Sequence, residues 1–372
     1  MAKSKLSKTK LSKKGFHVSF AEIMAIFASD GLVLVLPNDL KSRAEKSTKA
    51  KVLSDFCHIY FVLRRPGMKF VPGTINQGEA VCGKMSLTRN GYEEVVDFTV
   101  PRSGPRLHWT VSEFPHRLID SGTVPQLYKD SLPAYVVPSL GRVSHPSAHE
   151  AEVLYIGQSF GDGDRTVLDR LMDHSTLQNI LSEANYNSPD QDILLLLVEY
   201  APPKLLLMIP PESTYPKDYK VDDAEAQRVI DQRMDQISRA ASIPSSKVIS
   251  LKNQISIIEA ALINYFKPPY NVKFVHRKPQ PSHQHLLECY NEDFSALTIE
   301  INTEDAGFAL YSGSRASGVH HMAQFDLHDP KKRKSFFRLT AFDSDVGLTQ
   351  SGPVIPIQSL KSGRFGVLGF VW

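Results

Sequence analysis

Apolar positions in this chain come in short β-rich runs interleaved with longer stretches at helical spacing. Near the start, residues 20–28 have the apolar density of a helix, while residues 32–36 and 58–63 read as strands. Turns at Arg65-Pro66-Gly67 and Val71-Pro72-Gly73 punctuate this part. In the middle, residues 134–138 and 153–157 read as strands, and residues 166–174 lead into a helix. Residues 193–200 and 205–209 are continuous apolar runs, which suit buried strands. Two helices follow, over residues 222–241 and Leu251–Phe266, separated by the breaker Ile243-Pro244-Ser245-Ser246 and stopped by Pro268-Pro269. Beyond a Pro/His-rich linker at 278–285, residues 297–301, 307–311, 323–327 and 336–341 suggest strands.

This order predicts an α+β protein. With 372 residues it exceeds the roughly 250–300 at which a single core stops growing, so several domains are expected. The expected divisions are a basic flexible tail at 1–15, an N-terminal α+β domain at 16–130, a central domain at 131–277 and a β-rich C-terminal domain at 278–372. No internal repeat is visible.

Composition narrows the classes. The 42% hydrophobic and 22% charged content is that of a folded globular chain rather than a disordered one. No apolar run reaches the ~18 residues that span a bilayer, so no membrane partner is expected. Six lysines precede Gly15, but the apolar stretch after them is broken by polar residues and lacks a small-residue cleavage pattern, unlike a secretory signal. Removing those six from the 43 basic residues leaves 37 against 40 acidic ones, so the body is not basic. The tail reads as a solvated arm or a phosphate contact. Cys57, Cys82 and Cys289 are odd in number and far apart, which fits neither a disulfide framework nor a zinc ribbon. A cytoplasmic location is expected.

The candidate chemistry lies in the central region. Leu154-Tyr155-Ile156-Gly157 would deliver a tyrosine on a strand, with a glycine that permits close backbone approach just after it. Arg170 and His174 are four apart and would share one helix face, able to converge on an anion. In Leu251–Phe266, Glu259 falls on the apolar face with Ile255, Leu262, Ile263 and Phe266. An ionised carboxylate there is costly unless a cation or strong donors satisfy it. Magnesium is one such cation. Lys267-Pro268-Pro269-Tyr270-Asn271 follows the helix with a polar amide.

Taken together, Tyr155-Ile156-Gly157, Arg170, His174, Glu259 and Pro-Pro-Tyr-Asn at 268–271 resemble the GIY-YIG nuclease superfamily. The resemblance implies a small three-stranded sheet packed with helices, a phosphodiester substrate, and Mg2+ or Mn2+ as cofactor. It places the first-motif tyrosine at Tyr135, the second at Tyr155, the phosphate-bracing arginine at Arg170, an assisting histidine at His174, the metal-binding acid at Glu259 and a positioning asparagine at Asn271. It further implies an endonuclease acting on DNA, of use in genome defence, restriction or repair. The chain departs from the family in having Pro133 and Ala134 where the first motif carries glycine and isoleucine, and in a longer gap between Tyr135 and Tyr155. Those departures support an alternative: a catalytically inactive module that binds nucleic acid or protein.

Other candidates read as structure. Asp162-Gly163-Asp164 lacks the remaining ligands of a calcium loop and suits a turn. His145, His149, His283 and His285 have neither cysteine partners nor an HExxH frame. The basic run at 331–334 suits a solvated hairpin end or a nucleic-acid contact.

Overall fold

The computed structural model describes residues 17–18, 22–37, 40, 56–101, 108–120, 131–159, 171, 175–208, 222–242, 249–272, 286–292, 294–327 and 333–334. These form a mixed α+β structure with several sheets. No helix among the described residues is long and apolar enough to cross a membrane.

The strands run β1 (His17–Val18), β2 (Glu22–Phe27), β3 (Ser29–Val35), β4 (Ile59–Phe70) and β5 (Asn76–Gln77). Next come β6 (Ala80–Arg89), β7 (Tyr92–Pro101), β8 (Trp109–Val111), β9 (Arg117–Asp120), β10 (Ser131–Pro133) and β11 (Arg142–Val143). After them lie β12 (Glu150–Gln158), β13 (Gln191–Tyr200) and β14 (Lys204–Met208). The C-terminal strands are β15 (Ala296–Asn302), β16 (Ala309–Ser312), β17 (Arg315–Gly318), β18 (His320–Asp326) and β19 (Arg333–Lys334), the last paired with β1. Among the described residues the three long helices are α1 (Ser175–Asn187), α2 (Asp223–Ser242) and α3 (Leu251–Phe266).

Strand β4 organises the main sheet. Its first half pairs with β12 on one side and β13 on the other, both antiparallel, and its second half pairs with β6. Alternation along β4 sends Ile59, Phe61 and Leu63 into one core and Tyr60 and Val62 into another. The same parity divides Leu194, Leu196 and Val198 from Ile193, Leu195 and Leu197 on β13. The sheet therefore buries both faces, and continuous apolar runs follow from that. Helix α3 supplies Ile255, Ile258, Leu262 and Phe266 to the first face, and α1 supplies Leu177 and Ile180 to the second. At the β6–β7 hairpin, Asn90 and Gly91 both adopt positive φ (53° and 77°), the geometry of a two-residue type I′ turn.

Two local expectations are corrected. Residues 20–28 contain strand β2, not a helix. Ile23, Ala25 and Phe27 face the first core while Met24 joins another apolar cluster, so both sides are greasy and periodicity is uninformative. Residues 134–138 form a 3-10 turn (Ala134–Val136) running into a short helix (Val137–Leu140), where Pro138 at an early helical position is well tolerated. The strand expected at 336–341 lies outside the described residues.

Strand pairing also crosses the expected domain boundaries. β4 joins β12 and β13 across residue 130, and β15 pairs with β2 while β16 pairs with β12 across residue 278. A buried strand needs a hydrogen-bonding neighbour on each edge, and here the neighbours come from all three sections of the chain.

Phe266 is fully buried at the end of α3, edge-to-face with Phe61 at 6.1 Å between ring centroids. Phe266→Ala should lower the unfolding free energy by about 3–5 kcal/mol, read from urea denaturation. Between edge strand β18 and its neighbour β15, His320 Nε2 lies 2.8 Å from Glu300 Oε1, and the Glu300 hydrogen bond raises the His320 pKa above its ordinary value. A raised folded-state pKa stabilises below the unfolded value of about 6.5 and is lost as pH rises through the folded one. An NMR titration should show that upward shift, and Glu300→Gln should remove it.

Candidate functional site

The strongest geometry lies where β4 and β12 meet. Their register places Gly157 opposite Tyr60 and Tyr155 opposite Val62, both on the second face of the sheet. Tyr60 and Tyr155 stand with ring centroids 6.1 Å apart, tilted by 35°. A Cβ at position 157 would lie 2.5 Å from the Tyr60 ring and 2.8 Å from that of Tyr155. Only glycine leaves this space for the two phenols.

A β-bulge sets which way Tyr155 points. Val153 pairs with Leu63 and Tyr155 with Val62, leaving Leu154 as the extra residue. Ahead of the bulge Val153 faces the first core; after it Ile156 faces that core again, while Leu154 and Tyr155 face the second. Without the extra residue, Tyr155 would point away from Tyr60. Tyr60 is buried and Tyr155 is half-buried, so Tyr155 is the phenol of the pair with more solvent access.

The far edge of β12 is closed by two elements. Over Glu150–Glu152 it pairs with β16 in parallel. Beyond that the segment after α3 takes over: Tyr270 N–H donates to Leu154 O at 3.2 Å. Buried Asn271 accepts from Ile156 N–H at 2.9 Å and donates to Ile156 O at 2.8 Å. The side-chain amide thus acts as one residue of a missing strand, holding the backbone between Tyr155 and Gly157. Lys267 makes the turn possible by closing α3 in the left-handed region at φ 49°.

Tyr270 then lies beside Tyr155 against the second core and donates through its hydroxyl to Glu183 Oε2 at 2.6 Å. Burial, and after it the hydrogen bond and charge of Glu183, push the Tyr270 pKa up to about 12. That keeps Tyr270 protonated and unsuited to act as a base.

The structure brings Tyr155 and Asn271 together. It does not bring Tyr135 to them: Tyr135 sits in the 3-10 turn after β10, in the first core, and its carbonyl accepts from Arg65 Nη2. Arg65 is five residues along β4 from Tyr60, roughly 16 Å at the usual rise of a strand. The strand beside the Tyr155 strand is β4, and its tyrosine is Tyr60, which the sequence reading passed over. The available signal was Ile59-Tyr60 opening an apolar run. Glu259 is half-buried on α3, and the buried side chains of α3 belong to the first face, opposite the tyrosine rings. Arg170 and His174 lie outside the described residues.

Other charges near the site are paired. Arg64, two residues past Val62 on the tyrosine face, bonds Glu152 at 2.8 Å across the β4–β12 ladder. His145 bonds Ser147, and His149 faces Gly307 O, so both are loop histidines with structural contacts. Among the described residues no disulfide joins Cys57, Cys82 or Cys289, and burial raises the pKa of Cys57 and Cys289. Among the described residues no group of three or more His, Cys, Asp or Glu is placed to hold a metal. No family model, curated protein or solved structure matches this chain.

Asn271→Ala would strand a buried N–H and carbonyl of Ile156, each worth about 1–3 kcal/mol when unsatisfied. A loss of that order in thermal or chemical unfolding is expected, whereas an effect near zero would mean that the bridge does not support β12. Glu183→Gln should bring the Tyr270 titration back toward about 10, followed by tyrosinate absorbance. With its folded pKa raised, Tyr270 stabilises the fold below pH about 10. That contribution is lost as pH rises through about 12.

Proposed function

We propose that the protein is a metal-dependent endonuclease of GIY-YIG type that hydrolyses phosphodiester bonds in DNA. The observation that carries this reading is the paired tyrosines, Tyr60 and Tyr155, on adjacent antiparallel strands over a glycine that neither ring would tolerate with a side chain. The order of elements also supports it. β12, β4 and β13 make a three-stranded antiparallel unit followed by helices, and Asn271 returns to brace the Tyr155 strand. In this reading Tyr60 takes the first-motif position in place of Tyr135.

The chemistry follows from the side chains. Hydrolysis needs a proton acceptor for water and cationic groups for the charge that develops on phosphate. Tyr155, the accessible phenol, would accept the proton in its phenolate form, which Arg170 and a bound metal ion would favour, and Tyr60 positions its ring. Arg170 braces the phosphate, and His174 assists by hydrogen bonding. Glu259 offers a half-buried carboxylate oxygen, the donor type that Mg2+ or Mn2+ takes while keeping several waters. When bound, that ion supplies positive charge to a phosphate oxygen. Asn271 holds the strand and does not react.

A second reading is favoured by one observation. Helix α3 packs on the face opposite the tyrosine rings, which separates its acid from them unless Glu259 reaches around the β12 edge. That arrangement suits an inactive scaffold that binds nucleic acid or a protein partner.

Incubation of the full chain with duplex and single-stranded DNA, with Mg2+ or Mn2+, separates the two. Cleavage is expected, abolished by Glu259→Ala and lowered about 10²–10⁴-fold by Tyr155→Phe, the usual range for a lost acid–base group. Salt-sensitive binding without cleavage would establish the second reading. Cleavage left unchanged by both Glu259→Ala and Arg170→Ala would refute the proposed site.

A further inference from the structure

At the opposite end of β4 from the tyrosine pair, a cavity of about 540 Å³ opens between α1, the start of β13 and the turns around β9 and β10. Its size is that of a small-molecule pocket. Among its walls are Phe114, His116, Arg117, Tyr135, Gln191 and Asp192. Two features are unusual. Phe114 is 75% exposed, an aromatic face presented to solvent beside the opening. Asp192 spends one carboxylate oxygen, Oδ2, on Met68 N–H at 3.3 Å, while Oδ1 receives no hydrogen bond among the described residues. Behind the wall, Arg65 is opposite Asp192 in the β4–β13 register and is fully buried. Its Nη2 donates to Tyr135 O, but Nε and Nη1 have no hydrogen-bond partner among the described residues. Burial and the neighbouring carboxylate act on each other here: burial lowers the Arg65 pKa to about 10 and raises that of Asp192, and their mutual attraction opposes both shifts.

A guanidinium that backs the carboxylate keeps the wall near neutral overall, so the cavity is not built for a free cation. What it offers is an aromatic platform, an unspent acceptor and a cation, Arg117, which is also bonded to Ser131, while the Gln191 amide in the wall donates to Asn90 Oδ1 at 2.7 Å. A flat ring with adjacent N–H donors and an attached phosphate matches all three. Stacking on an aromatic side chain is worth about 1–3 kcal/mol per base. A carboxylate selects the base edge that presents donors, and guanine presents two side by side.

We infer that this cavity is a nucleobase pocket that takes a guanine, with Phe114 as stacking platform and Asp192 as reader of its N–H edge. The inference rests on the reading of the protein as one that handles nucleic acid, and it gives that reading a base-selective site distant from the scissile position.

Calorimetric titration of the full chain with guanosine, inosine and thymidine monophosphates tests it, with inorganic phosphate as control. Guanosine monophosphate should bind saturably, and inosine monophosphate, which lacks the 2-amino group, at least about tenfold more weakly. Asp192→Asn, which keeps the side-chain shape, should weaken binding by a factor of ten or more, and Phe114→Ala, at an exposed position, severalfold. The pocket is overturned by no saturable binding up to millimolar nucleotide, by equal binding of all three nucleotides or of phosphate alone, or by both variants binding like the parent. Metal-dependent DNA cleavage with no nucleotide binding would overturn this pocket and leave the nuclease reading standing. Guanosine monophosphate binding in a protein that never cleaves would do the reverse.

Discussion

The close approach of the Tyr60 phenol to the backbone at Gly157 is the constraint from which the rest of the arrangement follows. Two aromatic rings can share one patch of sheet only if the strand beneath them carries no side chain there. The volume is then filled by side chains rather than by a Cβ, and dense packing leaves no slack for either ring to move far. Tyr60 is thereby buried and fixed, and Tyr155 is left at the edge of the cluster with its ring partly open.

Holding that geometry takes hydrogen bonds from separate parts of the chain. β4 supports β12 from one side, β16 supports its first residues from the other, and Tyr270 and Asn271 complete the second edge. The central segment is therefore not self-contained. Its main sheet includes strands that precede it by nearly a hundred residues and strands that follow it, and the first core extends from Ile23 to Leu327. A long insertion within a sheet is tolerated because closing a larger loop costs only about 0.6 kcal/mol per doubling of length.

The sequence was most legible where one local rule dominated. Leu251–Phe266 reads directly as a helix because its apolar residues recur at helical spacing and Pro268-Pro269 cannot continue it. β13 and β14 were legible as continuous apolar runs. β2 was not, because a short segment buried on both sides has no periodicity to read. Of the candidate site, Tyr155, Gly157 and Asn271 could be picked out by type and order. Tyr60 was legible only as a tyrosine in an apolar run, because its proximity to Tyr155 is a product of long-range pairing across β5 to β11. Tyr135 was picked out by resemblance, as the tyrosine of Pro133-Ala134-Tyr135 ahead of Tyr155 in chain order. Its role in the fold is instead to present a carbonyl to the buried Arg65 guanidinium.

The bulge at Leu154 has a consequence for how this surface can change over time. Side-chain direction on a strand is a matter of counting, odd or even, and one surplus residue shifts the count for everything after it. Amino-acid replacement can alter what Tyr155 is, but not which side of the sheet that position addresses. Reversing it takes a change in the number of residues, which would simultaneously turn Ile156 out of the core and withdraw Gly157 from beneath the Tyr60 ring. The orientation of this position is thus inherited as chain length, and it is shielded from gradual drift by the packing penalty of any intermediate.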